Sequence, residues 1–188
     1  MIQLLYVCHG NQCRSPYLHL VTRHELARRG IASVIVESAG TDAVAGRPVA
    51  EPVQAALAAR TVDATGFRSR RLTAEQVTRA QLVLTADRRS RAAVARLVPL
   101  AAGRTFTVLQ VRRLLPTIRP LPHEVDQLVH SLAAARGLLG PTSADDDIVD
   151  PWLQRPATYR RAIAAMQDAL VPVVDVLAGV ARHHASRP

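Results

Sequence analysis

Cys8-His9-Gly10-Asn11-Gln12-Cys13-Arg14-Ser15-Pro16 follows directly on the apolar run Ile2 to Val7 and leads into an amphipathic stretch. The order is strand, tight loop, helix start. Five residues separate Cys8 from Arg14, enough to curl the loop so that its N–H groups converge on one point. Gly10 opens backbone angles closed to other residues. Asn11 tolerates the left-handed region and can brace the loop locally. Ser15 is a favoured N-cap and Pro16 a favoured first helical residue. The helix then begins just past Arg14, with its free N–H groups and positive dipole end facing the loop.

Such a loop is an oxyanion cradle with a sulfur at its floor. A thiol near a helix N-terminus and an arginine is expected to fall from about 8.5 to roughly 3.5–7.5, which makes Cys8 a candidate nucleophile. Arg14 offers a planar fork matched to two oxygens of a tetrahedral anion. A thiolate beneath a bound phosphate is poised for in-line attack on phosphorus, giving a cysteinyl-phosphate. Ser15 could donate to the sulfur as it departs in the second step. Against this, a cysteine at a strand end is often only a small buried hydrophobe. The glycine, the asparagine and the helix start together favour the chemical reading.

Hydrophobic runs alternating with helical patterns predict an α/β fold. We expect an open four-stranded parallel sheet with helices on both faces and the phosphate-binding loop between the first strand and the first helix. Strands are expected at Gln3 to Cys8, Ser33 to Ser38, Gln81 to Thr85 and, more weakly, Thr105 to Leu109. A helix from Pro16 to Arg29 is stopped by Gly30. The loop Ala39 to Arg47 leads to a helix opening near Pro48 and running to about Arg60. Thr73 with Gln76 forms a capping box, and Asp87 can cap a helix from Arg88 to Leu97. Gln110 to Gly140 reads as one or two helices with Pro-marked breaks, followed by a polar loop from Pro141 to Asp150. A last helix runs from near Tyr159 to Arg182, and Pro172 should kink or split it.

The 188 residues suit one domain, expected over 1–182, with a frayed tail over 183–188. No stretch of about 20 apolar residues is read as a membrane span, and the N-terminal run is too short for a signal peptide. The two cysteines, Cys8 and Cys13, give no disulfide framework and fit a reducing, cytoplasmic setting. The net charge of +9 could suggest nucleic acid, but every basic residue is Arg, the arginines are scattered, and only 3% of residues are aromatic. Base stacking has little material here, so no nucleic-acid partner is expected.

Ester cleavage needs a proton for the leaving oxygen. Asp150 in Asp150-Pro151-Trp152 is the candidate acid, since Pro151 biases it toward an extended backbone. Trp152 offers a flat wall for an aryl ring. The same dipeptide can equally be a turn before the last helix. Asp145, Asp146 and Asp147 read as a solvated loop.

The segment Cys8 to Pro16 resembles the signature of the low-molecular-weight protein tyrosine phosphatase family, Cys-x-Gly-Asn-x-Cys-Arg-Ser-Pro, with His9 and Gln12 at its variable positions. Asp150-Pro151-Trp152 is similar to the family's late Asp-Pro-aromatic motif, which carries the general acid and one side of the substrate pocket. Glu37-Ser38-Ala39-Gly40-Thr41 resembles its Ser-Ala-Gly-Thr turn, and Leu82 to Asp87 resembles a family strand ending in Asp.

The resemblance implies a phosphatase acting on phosphate monoesters, phosphotyrosine in proteins foremost. Cys8, Arg14 and Asp150 would be its catalytic residues. His9, Gly10, Asn11, Gln12, Cys13 and Ser15 would form the phosphate-binding loop, and Trp152 would wall the pocket. It also implies that Asn11, Ser15 and Ser38 support the loop, and that Cys13 pairs with Cys8 under oxidant; its bland alternative is a packed core residue. The scheme needs neither metal nor cofactor. Phe67 stands where the family often has a histidine, so the loop would be braced by three side chains and packing. Arsenate reductases share the fold; one using an external small thiol is the alternative, whereas a disulfide relay would need further cysteines.

Overall fold

The computed structural model describes residues 1–140 and 142–185. β1 (Ile2–Cys8) lies between β2 (Val34–Gly40) and β3 (Leu82–Thr85), and β4 (Thr105–Thr107) pairs with β3, all parallel, in the order β2-β1-β3-β4. Ile2 pairs with Val34 and Cys8 with Gly40, while Val7 faces Thr85. β1 is buried on both faces, which explains its unbroken apolar run. Leu4 and Tyr6 join a large core with α1 (Arg14–Arg28), α5 (Val108–Leu114) and α7 (Pro156–Ala185). Leu5 and Val7 join a smaller one with Val77 of α3 (Ala74–Arg79) and Val94 of α4 (Arg88–Leu97). Helices thus cover both faces, and the carboxyl end of β1 opens at the place where the chain's connections diverge. Ligands in open α/β sheets bind there.

Several boundaries differ from the sequence reading for identifiable reasons. α1 begins at Arg14 with Cys13 in the N-cap position and no side-chain cap. The Ser15 hydroxyl is drawn to Cys8 instead of capping the helix. α2 (Glu51–Ala58) starts after Pro48, because the Ala50 N–H bonds to the Gln12 carbonyl at 2.9 Å and keeps that approach extended. β4 stops at Thr107, whose hydroxyl accepts from Gln110 N and starts α5 two residues before Gln110. The 110–140 segment holds two helices, α5 and α6 (Val125–Leu139), separated by a Pro-rich stretch.

Pro172 does not split α7, which is one helix over thirty residues. A proline inside a helix costs about 3 kcal/mol or more. Met166, Leu170, Val173, Val174 and Leu177 on either side of it are buried, at roughly 1.5–3 kcal/mol each, so packing outweighs that cost. Residues 183–185, expected to fray, continue α7; 186–188 lie outside the described residues, as does Pro141 at the head of the polar loop.

By length and composition α7 could cross a membrane between Pro156 and His183, which the sequence reading passed over. Half of its most apolar window is buried inside the protein, and the helix packs on α1 and α5.

The acidic run is not a solvated loop throughout. Asp146 is buried, accepts from Ser143 N, and pairs with Arg113 of α5 at 3.0 Å. Asp147 takes the Arg88 backbone and side chain. Gln110 of α5 reaches Thr142 at 2.8 Å. α6 packs on α5 and the 99–104 turn, so the 110–140 segment reaches the site through α5 and the 142–148 segment that α5 grips.

Candidate functional site

The loop closes at the carboxyl end of β1, where Cys8 is 2% exposed. The Asn11 N–H donates to Cys8 Sγ at 3.3 Å, and the Ser15 hydroxyl lies 3.0 Å from the same sulfur. Asn11 holds the left-handed turn, at φ 51°. Gly10 does not adopt that conformation, and a Cβ there would meet nothing nearer than 4.0 Å. The demanding glycine is Gly40. A Cβ on it would come within 2.5 Å of the His9 carbonyl oxygen and 2.8 Å of the Asn11 nitrogen. That closeness lets Thr41 N and Asp42 N donate to the Cys8 and His9 carbonyls at 2.9 and 3.0 Å, pinning the loop to the end of β2.

The side-chain brace has a definite direction. The Arg70 N–H can only donate, and it donates to Asn11 Oδ1 at 2.9 Å. The Asn11 amide is thereby oriented, and its Nδ2 donates to Ser15 Oγ at 2.9 Å and to Ser38 Oγ at 3.0 Å. Each hydroxyl, having accepted, has its own proton to give. Ser15 has its proton to give to Cys8 Sγ, with the Ala39 carbonyl a longer second acceptor at 3.4 Å. Ser38 gives its proton to Nδ1 of His19, 3.2 Å away.

His19 was not read from the sequence as part of the site. It comes from α1, and its ring lies edge-on to Phe67, 6.2 Å between centroids. The brace therefore has four side chains, not three, with the imidazole supplied from α1 beside the phenylalanine. Burial first, then the Arg23 and Arg70 charges, lower the imidazole's pKa to about 3. A neutral ring with Nδ1 as acceptor carries its proton on Nε2.

Arg14 is 3% exposed and bridges two carboxylates. Its Nη1 meets Asp87 Oδ2 at 2.6 Å and the Ile148 carbonyl at 3.1 Å; its Nη2 meets Asp150 Oδ2 at 2.6 Å. Nε is buried without a partner. Asp87, read from sequence only as a cap, does both jobs: Oδ1 accepts from Ser90 N at 2.6 Å while Oδ2 holds the guanidinium. Burial would raise its carboxyl pKa, but the Ser90 backbone hydrogen bond and Arg14 outweigh this and hold it below the usual range.

Asp150 is 45% exposed at its side chain and accepts from Trp152 N at 3.2 Å, while Trp152 is 44% exposed. His9 is partly exposed, 4.0 Å from Asp42, and Gln12 is half-buried. Cys13 is buried; burial first, then Cys8 and Asp150, push its thiol up to about 12. Both cysteines are free thiols. No group of three or more metal-ligating side chains occurs among the described residues.

A sequence profile of the low molecular weight phosphotyrosine protein phosphatase family matches residues 3–115. A relative described as a probable low molecular weight protein-tyrosine-phosphatase, EpsP of Ralstonia nicotianae, is 32% identical over 177 residues, covering 93% of this chain and 97% of that protein. The chain belongs to this family. As a low molecular weight protein-tyrosine-phosphatase it hydrolyses phosphate monoesters.

Solved structures agree on the fold of the phosphatase. The YwlE arginine phosphatase of Geobacillus stearothermophilus superposes with a TM-score of 0.68 at 21% identity, over 94% of this chain and 93% of that one. Vibrio vulnificus Wzb, solved with benzylphosphonate, gives 0.67 at 21% identity, over 93% and 97%.

Proposed function

We propose that Cys8, Arg14 and Asp150 divide the chemistry of this phosphatase, and that its substrates are phosphotyrosine-containing proteins of the cytoplasm. Cys8 attacks phosphorus while Arg14 and the loop N–H groups hold the equatorial oxygens. Asp150 protonates the leaving phenol, then takes a proton from the water that cleaves the cysteinyl-phosphate. Trp152 walls the ring, and residues 1–182 act as one domain.

The observation that carries this assignment is the Asp150–Arg14 ion pair. It brings a partly exposed carboxylate from the far end of the chain to the guanidinium beside Cys8. An incoming phosphate takes Nη2 together with the unpartnered Nε as a bidentate fork and frees Asp150 for the leaving group. Cys13 serves as the redox partner: peroxide oxidises Cys8 to a sulfenic acid, and the Cys13 thiol displaces water from it to form a disulfide.

The test is hydrolysis of p-nitrophenyl phosphate, a tyrosine phosphopeptide and phosphoarginine. Cys8→Ser should abolish turnover, and Asp150→Asn should lower kcat about 10²–10⁴-fold. Survival of hydrolysis in Cys8→Ser would sink the mechanism. Preference for phosphoarginine, or thiol-dependent arsenate reduction exceeding aryl phosphate hydrolysis, would overturn the substrate.

A further inference from the structure

Behind the loop, on the side away from Cys8 Sγ, His19 presents an N–H that the protein does not use. Its Nδ1 is engaged by Ser38, whereas its Nε2 has no protein partner among the described residues. The ring lines a cavity of about 370 Å³ together with Arg23, Arg68, Arg70, Asp63 and Phe67.

The charge around this cavity is unbalanced. Arg70 is neutralised, with Nη1 3.1 Å from Glu37 and Nε donating to the Ser38 carbonyl. Arg23 forms no ion pair within 4.0 Å among the described residues. Among the described residues Arg68 donates only to the Thr65 and Phe67 carbonyls. The one acid on the lining, Asp63, accepts from Thr65 N and cannot balance both guanidinia. Two cations and an imidazole N–H thus face one space whose lining carries a single carboxylate, Asp63, leaving the donors in excess.

We propose that this cavity is a second oxyanion site and that its occupant is inorganic phosphate, the product of the reaction at the first. The anion accepts from His19 Nε2–H and pairs with Arg23 and Arg68. It acts on the loop without touching it. Holding the proton on Nε2 keeps Nδ1 an acceptor, so Ser38 continues to donate outward, in the same sense that the Arg70 N–H imposes on Asn11 from the other end. The chain from His19 through Ser38, Asn11 and Ser15 ends on Cys8 Sγ, so product bound behind the loop favours the hydrogen-bond direction that the nucleophile uses. This goes beyond the assignment of Cys8, Arg14 and Asp150; phosphate binding at the cavity is independent of that assignment, and only its effect on the nucleophile rests on it.

The experiment follows the His19 ring Cε1–H resonance by NMR while inorganic phosphate is added to the full chain and to Arg23→Ala/Arg68→Ala. In parallel, the Ki of phosphate as a competitive inhibitor of p-nitrophenyl phosphate hydrolysis is measured for both. The expected result is a saturable His19 shift in the wild type with a component that weakens about tenfold or more in the double variant, as loss of charge-assisted contacts requires. The Ki should stay unchanged within about twofold, because Arg23 and Arg68 share no contact with the first site and couple to it only weakly through the brace. No shift, the same titration in both proteins, or a Ki that moves in parallel with the shift would each overturn the proposal. Should the double variant fold poorly, Arg68→Ala alone serves, since its side chain is exposed. Hydrolysis by the same wild-type sample reports separately on the first site.

Discussion

Gly40→Ala isolates how closely the loop must approach the end of β2. The new Cβ would lie 2.5 Å from the His9 carbonyl oxygen and 2.8 Å from both the Asn11 nitrogen and the Ala43 Cβ, against an ordinary contact distance of 3.4 Å or more. Two of these three neighbours are backbone of the loop, so no side-chain rotation relieves them. The loop must retreat by about 0.9 Å at His9, and the Thr41 and Asp42 hydrogen bonds move with it. Overpacking of this kind costs about 1–3 kcal/mol, which for a chain of this size lowers Tm by roughly 2–12 °C. A displacement near 1 Å of the groups that align the phosphate costs about 10²-fold in rate. Gly40→Ala is therefore expected to lose about 100-fold in kcat/KM for p-nitrophenyl phosphate while remaining folded by circular dichroism. Wild-type kcat/KM together with an unchanged Tm would refute the close-approach argument.

Asp87→Asn keeps an oxygen to accept from Ser90 N but removes the charge facing Arg14; steady-state kinetics should show kcat/KM down about 10–100-fold, the worth of a charged hydrogen bond, with Tm nearly unchanged. His19 has a folded pKa of about 3 against an unfolded value near 6.5, so the unfolded chain binds the extra proton and stability is lost as pH falls through that window. Denaturant melts at pH 6.5 and 4.5 should show His19→Phe losing less stability than wild type, by about 2 kcal/mol, and equal losses would contradict the neutral-ring assignment. After mild peroxide, intact-mass analysis should find wild type two hydrogen atoms lighter and its activity restored by dithiothreitol, whereas Cys13→Ser should accumulate oxygen adducts and recover poorly.

The parts of the site that lie within one continuous stretch were legible. Cys8 through Pro16 announced strand, turn and helix in a single reading, through the left-handed Asn11 and the Ser-Pro helix start, although Gly10 and Ser15 take other parts than their residue types suggest. The sheet and its two covered faces followed from unbroken apolar runs separated by helical periods. What the sequence did not disclose depends on contacts between distant elements. His19 looks like any polar residue on a helix until β2 brings Ser38 against it and Phe67 fills the space beside the ring. Asp87 carries a recognisable capping pattern that hides its second role, since one oxygen suffices for the cap. Thr107 and Gln110 did carry a readable signal, a Thr-x-x-Gln spacing before an apolar run, which would have moved the end of β4 back by two residues. Asp146 was misread because a run of three acids suggests solvent, and nothing local indicates that Arg113 reaches it from α5.

The orientation of the whole brace originates in a main-chain group, the N–H of Arg70. Side chains drift through point mutation, but nineteen of the twenty amino acids at this position would deliver the same donor. The polarity that ends on the Cys8 sulfur is therefore insulated from sequence change at its source, and only proline could erase it. The Arg70 guanidinium is correspondingly free to serve elsewhere, at Glu37 and at the rim of the rear cavity, without disturbing the brace that ends on Cys8.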